Sequence, residues 1–146
     1  MNTITVRPAK TKDSKRVFEF ICDLEDTIFD YPVFEQYYLI NISNKDNIYL
    51  VAINNADKVI GYLSCHGQIL LHHVSKVFEI HELFVDRNSR NQKVGQLLIE
   101  MLEDILRKNN YTFLEVATNL KRMDTHRFYK KCGFNQSHYK FTKRLQ

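Results

Sequence analysis

The stretch Val77–Val85 constrains the fold most, because its alternation of apolar and polar residues slips by one position near His81 and Glu82. Alternation with a period of two is typical of a strand with one buried face, and a slip of one residue turns side chains to the other face. A β-bulge restores their burial by inserting one extra residue. The sequence therefore predicts a bulged strand that splays from its neighbour and opens a cleft in a sheet.

The segment after this strand predicts a long helix that begins at a polar loop. Apolar residues recur at i, i+3, i+4 and i+7 between Val94 and Leu106, which is the pattern of an amphipathic helix. The unpaired N–H groups and the positive dipole end of such a helix bind phosphate. Arg90 and Lys93 add charge, and Gly95 permits close approach of the backbone. A phosphate-binding loop and an ordinary capped helix both fit these residues.

The remaining segments predict further strands and helices on either side of this unit. Apolar runs separated by polar turn residues indicate a hairpin, and apolar residues at helical spacing indicate helices. The predicted elements are a strand Thr3–Val6, a helix from Asp13 or Ser14, hairpin strands Ile48–Ile53 and Val59–Cys65, a strand Phe113–Ala117, a helical face Thr125–Cys132 ending at Gly133, and a last strand at Tyr139 and Phe141. We expect a mixed α/β (α+β) fold with a central, mostly antiparallel sheet flanked by helices.

Aromatic residues crowd into residues 29–38. Phe34, Tyr37 and Tyr38 are spaced to share one face of a second short helix, and Tyr31 lies just before them. We expect this segment to roof a pocket.

Length and composition indicate a single domain over residues 1–146, since 44% hydrophobic residues can close one core. No apolar run reaches the roughly 18 to 20 residues of a membrane helix, and the N-terminus lacks the order of a signal peptide. We expect a cytoplasmic protein that does not contact membranes. Cys22, Cys65 and Cys132 form no C-x-x-C pair, so reduced, structural cysteines are expected.

The positive charge is concentrated near the end of the chain. The net charge is +4, and residues 111–146 contain eight Lys or Arg against Glu115 and Asp124. Such a segment can bind nucleic acid, the phosphates of a nucleotide cofactor or an anionic substrate. The aromatic residues there fall at helical core positions instead of forming a stacking surface, which argues against a nucleic-acid-binding module.

Two sequence motifs, at a characteristic separation along the chain, resemble those of a known family. The loop matches R/Q-x-x-G-x-G/A at Arg90 and Gly95 and has Lys93 in place of the first Gly. A second motif, F-Y-x-x-x-G-F, is complete in Phe128, Tyr129, Gly133 and Phe134. With this order of elements, the chain resembles the GNAT superfamily of N-acetyltransferases. The resemblance implies the GNAT acyl-CoA N-acyltransferase fold, acetyl-CoA as cosubstrate and an amine as acceptor.

The resemblance also implies which residues bind acetyl-CoA. The pantetheine arm would pair with the backbone at the splayed strand, and the pyrophosphate would lie on the loop before the long helix. The implied residues are Leu83, Phe84, Val85, Arg90, Asn91, Gln92, Lys93, Val94, Gly95, Gln96 and Asn119. Because these contacts are mostly to the main chain, we expect Lys93 to preserve the phosphate-binding backbone while adding a cation or altering the loop.

Catalysis needs a base for the amine and an acid for the departing thiolate. Glu79, His81 and Glu82 lie on the bulged strand and are the candidate bases. Glu82 is favoured because related enzymes often have an acid there, whereas His81 has an ordinary pKa nearer neutrality. Tyr129 occupies the position of the superfamily's general acid. Each carboxylate can instead be merely solvated, and Tyr129 can be a core aromatic.

Further segments resemble superfamily members that acetylate aminoalkylphosphonates. They are Leu71–Val74, Glu79–Leu83, Thr118–Arg122, His126–Tyr129 and Gln136–Lys143. The implied acceptor is a small zwitterion such as 2-aminoethylphosphonate. Its candidate binding residues are Tyr31, Lys121, Arg122, His126, Arg127 and Lys140. Direct attack of the amine in a ternary complex is expected, without an acyl-enzyme.

Several alternatives stay open at this point. Another amine can be the acceptor, such as an aminoglycoside, a polyamine or a protein, although the first two favour an acidic pocket. A divalent metal is also open, because His66, His72, His73 and His81 cluster in the sequence without a fixed ligand spacing. A homodimer is common in the superfamily.

Overall fold

The computed structural model describes residues 3–146 and contains one five-stranded mixed sheet. The strands lie side by side in chain order, and β1, β2, β3 and β4 are successively antiparallel while β5 is parallel to β4. They span Thr5–Pro8 (β1), Asn47–Ile53 (β2), Val59–Leu70 (β3), Ser75–Val85 (β4) and Leu114–Val116 (β5). The predicted mostly antiparallel sheet and its hairpin are confirmed.

Four α-helices connect and cover the strands. They span Ser14–Glu25 (α1), Tyr31–Ser43 (α2), Val94–Lys108 (α3) and Met123–Lys131 (α4). The start of α2 is fixed by the carboxylate of Asp30, which accepts a hydrogen bond from the backbone N–H of Val33 over 3.1 Å. Pro32 occupies its first turn, where its missing N–H costs no hydrogen bond. Within residues 3–146, no helix is long and apolar enough to cross a membrane.

The sheet separates two apolar clusters. One cluster packs α3 against the strands and includes Leu63, Leu98 and Leu102, each fully buried. The other joins α1 and α2 to the opposite face through Val17, Tyr38 and neighbouring aromatic residues. These faces follow from the two periodicities, because alternate strand residues point to opposite sides and the apolar stripe of each helix covers one of them.

Two predictions about strands need correction. The first strand begins at Thr5 and runs to Pro8, two residues later than predicted. The predicted last strand is wrong, because residues 135–146 form no regular secondary structure, and Tyr139 and Phe141 are 85% and 92% exposed. Alternation creates an apolar face, but a strand also requires backbone partners and a surface to cover that face, and the described residues supply neither here.

Candidate active site

The predicted bulge lies at His81 in β4. Ser64 of β3 pairs with Glu82 and Cys65 pairs with Ile80, so His81 is the extra residue between them. On its other side, β4 pairs with β5 only as far as Ile80. The two parallel strands therefore separate beyond this point and leave one edge of β4 without a neighbouring strand.

The separated strands form the walls of a cleft of about 1710 Å³. Residues 83–85 line one wall, residues 116–119 line the other, and the N-terminus of α3 lies at the end of the cleft. Of the predicted cofactor residues, those on the lining are Leu83, Phe84, Val85, Arg90, Asn91, Lys93, Val94, Gly95, Gln96 and Asn119. Gln92 does not line the cleft.

The N-terminus of α3 offers unpaired backbone donors to this cleft. Its first helical hydrogen bond runs from the N–H of Leu97 to the carbonyl of Lys93. The N–H groups of residues 94–96 therefore have no acceptor within the helix. No side chain caps them. Lys93 itself is in the left-handed conformation, with φ 63°. Glycine adopts this left-handed conformation without strain. For Lys93, which has a β-carbon, the conformation costs about 1–2 kcal/mol of stability.

Gly95 lies where α3 and α4 approach each other. A β-carbon at this position would lie 3.1 Å from Cζ of Phe128, which is closer than side chains normally pack. Glycine therefore lets the ring of Phe128 lie against the first turn of α3. The two sequence motifs, at Arg90–Gly95 and Phe128–Phe134, are therefore in contact in the fold.

Glu82 is held by two residues of β3. Its carboxylate accepts a hydrogen bond from Ser64 Oγ and another from the hydroxyl of Tyr62 over 3.3 Å. Its backbone N–H donates to Ser64 Oγ over 3.1 Å. Burial, reinforced by the negative charge of Glu82, raises the pKa of Tyr62 well above its usual value, so this hydroxyl stays a proton donor. The carboxyl group of Glu82 therefore has two hydrogen-bond donors in a half-buried site.

The other two candidate bases interact with each other. His81 Nε2 lies 3.8 Å from a carboxylate oxygen of Glu79, and the ring of His81 lies 4.7 Å from that of His66. His81 lines the cleft, whereas Glu79 does not. Burial, together with the nearby His81, lowers the pKa of His66. Glu79 and His81 precede Glu82 on β4, and His66 lies on the neighbouring strand β3.

Tyr129 lines the cleft and is only 7% exposed. Burial raises the pKa of Tyr129 to about 12, with a further increase from Cys132 and an opposing effect from the cation of Arg122. Its hydroxyl makes no hydrogen bond to the residues that the structure describes. A protonated phenol directed at a cleft can donate to an anion that forms there.

The predicted acceptor residues separate into two groups. Lys121 and Arg122 line the cleft, and one guanidinium N–H of Arg122 donates to the carbonyl of Leu24 over 3.2 Å. The structure does not bring the others there. Tyr31 donates to Glu35 over 2.8 Å within α2, and His126 lies 2.8 Å from the carbonyl of Asn119. The side chain of Arg127 pairs with Asp124, and Lys140 lies in the irregular segment after α4.

A second cavity, of about 520 Å³, lies beneath α2. The prediction that the aromatic segment roofs a pocket is confirmed, because Phe34, Tyr37 and Tyr38 line it. Tyr31 is the exception and lies outside. Glu82 lines both this cavity and the cleft, so it marks the place where the two spaces meet.

Neither a metal nor a cysteine nucleophile is supported by the side chains present. Across residues 3–146, no group of three or more His, Cys, Asp or Glu side chains is arranged to hold a metal ion. The free thiol of Cys65 is buried, and this burial raises its pKa to about 12. Such a thiol is inert as a nucleophile.

The sequence of the chain matches the Acetyltransferase (GNAT) family over residues 17–134, and the chain belongs to that family. It is an N-acetyltransferase whose cosubstrate is acetyl-CoA. The cleft fits this cosubstrate, because it joins an unpaired strand edge to unpaired donors at a helix N-terminus.

A relative with a named activity extends over nearly all of the chain. The aminoalkylphosphonate N-acetyltransferase of Salmonella typhimurium is 37% identical over 145 residues, covering 99% of this chain and 94% of the relative.

Solved structures share the fold. A transcriptional regulator from Bacillus halodurans has a TM-score of 0.88 at 20% identity, covering 98% of this chain and all of its own. An aminoglycoside antibiotic 6'-N-acetyltransferase from Acinetobacter baumannii has a TM-score of 0.83 at 16% identity, covering 99% of this chain and all of its own. At such identities the likeness concerns the fold alone.

Proposed function

We propose that the protein transfers the acetyl group of acetyl-CoA to the primary amine of an aminoalkylphosphonate, such as 2-aminoethylphosphonate. The observation that carries this proposal is the position of Arg122 on the lining of the same cleft as Tyr129. A guanidinium binds phosphonate oxygens through paired donors, and the bond to Leu24 occupies only one of its five. Lys121 adds a second cation on the same lining.

The identity of the relative from Salmonella typhimurium supports the same acceptor class. That relative is named for aminoalkylphosphonates, and 37% identity extends over nearly the whole of both chains. An acceptor that is anionic at one end needs cations near the cleft. The basic C-terminal quarter of the sequence supplies such cations in Lys121 and Arg122.

The proposed mechanism is direct attack in a ternary complex. Acetyl-CoA supplies an activated thioester. Glu82 accepts a proton from the acceptor ammonium, directly or through one water, and the free amine forms a C–N bond with the thioester carbonyl carbon. The C–S bond then breaks, and Tyr129 gives its proton to the departing thiolate. The nitrogen of the new amide loses its extra proton, directly or through water, to the Tyr129 phenolate, which restores the phenol. The raised pKa of Tyr129, about 12, keeps this proton in place at neutral pH.

No acyl-enzyme enters this mechanism. Cys132 lines the cleft, but burial raises the pKa of its thiol and keeps it protonated. A small-molecule acceptor, the absence of a nucleic-acid partner, a homodimer and a cytoplasmic location all stay predictions.

The test is an acceptor panel. Purified protein is mixed with acetyl-CoA and 2-aminoethylphosphonate, spermidine, glucosamine or an aminoglycoside, and thiol release is followed with and without a divalent metal. The proposal predicts the highest kcat/KM for the phosphonate. Faster turnover of spermidine or the aminoglycoside would replace the acceptor class but keep the transferase chemistry.

A further inference from the structure

The cavity beneath α2 is much larger than a two-carbon aminophosphonate requires. Its volume of about 520 Å³ lies in the range of pockets that bind drug-sized molecules. Glu82, the proposed base, lies at its junction with the cofactor cleft. An acceptor whose amine lies at Glu82 can therefore extend another part of itself into this space.

The lining of the cavity selects against an anionic group. Among residues 3–146, the charged residues on its lining are Asp30 and Glu82, and both are acidic. A phosphonate inside the cavity would be repelled by these carboxylates and would lose its hydration without a cation as compensation. The cations Lys121 and Arg122 line the cleft and not the cavity. The anionic end of the acceptor must consequently lie outside, on the cleft side of Glu82.

The same lining favours an apolar group, particularly an aromatic one. Side chains of α2 such as Val33 and Phe34 form one wall, and tyrosines of β2 and β3 form another. Three of the tyrosine hydroxyls already have protein partners. Tyr49 is 2.7 Å from His66 Nε2, Tyr38 donates to the carbonyl of Lys10 over 2.7 Å, and Tyr62 donates to Glu82 over 3.3 Å. The cavity thus presents mainly ring and aliphatic surface to a ligand, and aromatic pairs form readily on such surface.

We propose that this cavity binds an apolar, preferably aromatic, substituent carried beside the acceptor amine. The preferred acceptors are then 1-aminoalkylphosphonates with an aromatic side chain: the amine lies at Glu82, the phosphonate at Arg122 and the ring beneath α2. The placement of the amine and the phosphonate rests on the function proposed above, whereas the preference for a ring rests on the cavity alone.

Two matched pairs of acceptors test this preference. The first pair is 1-aminoethylphosphonate and 1-amino-2-phenylethylphosphonate, and the second is ethylamine and 2-phenylethylamine. Burying a phenyl ring is expected to raise kcat/KM by about 10- to 100-fold within each pair. If neither member of a pair is acetylated, its two Kd values for the complex with CoA are compared instead. A ratio below about two-fold in any pair that is acetylated or that binds measurably overturns the inference.

The pairs also separate this inference from the proposed function. Acetylation of both phosphonates without a phenyl preference rejects the inference and retains the aminophosphonate acceptor. A phenyl preference with turnover of only the simple amines rejects the aminophosphonate acceptor and retains the inference.

Two substitutions on α2 locate the preference in the cavity. Val33 lines the cavity and is 47% exposed, whereas Ile40 does not line it and is 56% exposed. Val33→Gln is expected to lower the phenyl ratio by about three- to ten-fold, because it replaces apolar lining with a neutral polar group. The matched control Ile40→Gln should leave the ratio unchanged. Thermal unfolding checks that both variants fold, and an unaltered ratio in folded Val33→Gln overturns the proposal.

Discussion

The hydroxyl of Ser64 is hydrogen-bonded to both ends of Glu82. It donates to the carboxylate and accepts from the backbone N–H of the same residue over 3.1 Å. Ser64 is completely buried, so this pair of bonds fixes the side chain of Glu82 at the point where the bulge opens β4. The position of the proposed base thus depends on a residue of the neighbouring strand.

Replacing Ser64 should therefore impair catalysis as well as folding. Ser64→Ala is expected to lower kcat by about 10-fold or more, since a hydrogen bond to a charged group is worth about 1.5–3 kcal/mol. Thiol-release kinetics with saturating acetyl-CoA measure this effect. Ser75→Ala, at the start of β4, is the control, because among the described residues its hydroxyl bonds only to the adjacent carbonyl of Lys76. Equal kcat values for the two variants would contradict the role of Ser64.

The phenol of Tyr129 is expected to serve as the proton donor to the thiolate. Tyr129→Phe should lower kcat by about 10²-fold or more while KM for acetyl-CoA changes little, because the ring and its packing are retained. Single-turnover rates show whether the chemical step is affected. Tyr111→Phe is the matched control, since Tyr111 packs on Phe78 away from the cleft. A chemical step of unchanged rate in Tyr129→Phe would remove this residue from the mechanism.

Buried tyrosines should make the fold sensitive to alkali. Burial raises the pKa of Tyr49 and of Tyr129 to about 12, and it also raises those of Tyr38 and Tyr62. In the unfolded chain these groups ionise near pH 10. Their contribution to stability is thus complete below about pH 10 and is lost as the pH rises toward 12. Urea unfolding across this range should show falling stability, and Tyr49→Phe should reduce the fall; an identical fall in this variant would argue otherwise.

Lys93 provides a test of the backbone conformation of the loop. Its φ of 63° is tolerated by Asn but poorly by a β-branched residue. Lys93→Val is expected to destabilise the protein by about 1–2 kcal/mol and to weaken acetyl-CoA binding. Lys93→Asn removes the same charge but keeps the conformation, so its stability should stay within about 0.5 kcal/mol of the parent. Urea unfolding and calorimetric Kd values compare them, and equal losses in both variants would assign the effect to charge.

Arg16 connects α1 to the loop between β4 and α3. Its guanidinium lies 2.9 Å from the carboxylate of Asp86, where the loop begins, and also donates to the carbonyl of Val59 over 3.1 Å. Arg16→Met should raise KM for acetyl-CoA by about five- to ten-fold with a smaller change in kcat, because the loop loses its anchor. Arg107→Met removes an exposed pair with Glu103 and is the control. If both variants keep the parental KM, the anchor has no role in cofactor binding.

The features that the sequence predicted correctly are those that depend on the pattern of neighbouring residues. The slip near His81 gave the bulge, and the apolar stripe from Val94 gave α3 and its N-terminus, because periodicity depends on neighbouring residues only. The aromatic face of α2 was found in the same way. These patterns were sufficient to place the cleft between β4 and β5.

Contacts between segments that are distant in the chain could not be predicted from these local patterns. Ser64 and Tyr62 were missed because their hydrogen bonds to Glu82 depend on the register of β3 against β4. Alternation along β3, combined with the predicted bulge in β4, is the sequence signal that could have identified them. Tyr31 was predicted to bind the acceptor, whereas its hydroxyl bonds to Glu35 within α2. The last predicted strand failed because its alternation has no neighbouring strand to pair with.

The most direct test of the account compares kcat for Glu82→Gln, Glu79→Gln and His81→Gln with 2-aminoethylphosphonate as acceptor. Calorimetry first establishes that each variant binds acetyl-CoA as the parent does. The account predicts a fall of about 10²- to 10⁴-fold for Glu82→Gln and less than about 10-fold for the other two. Near-parental kcat in Glu82→Gln, with a large fall in one of the others, would contradict the assignment of Glu82 as the base.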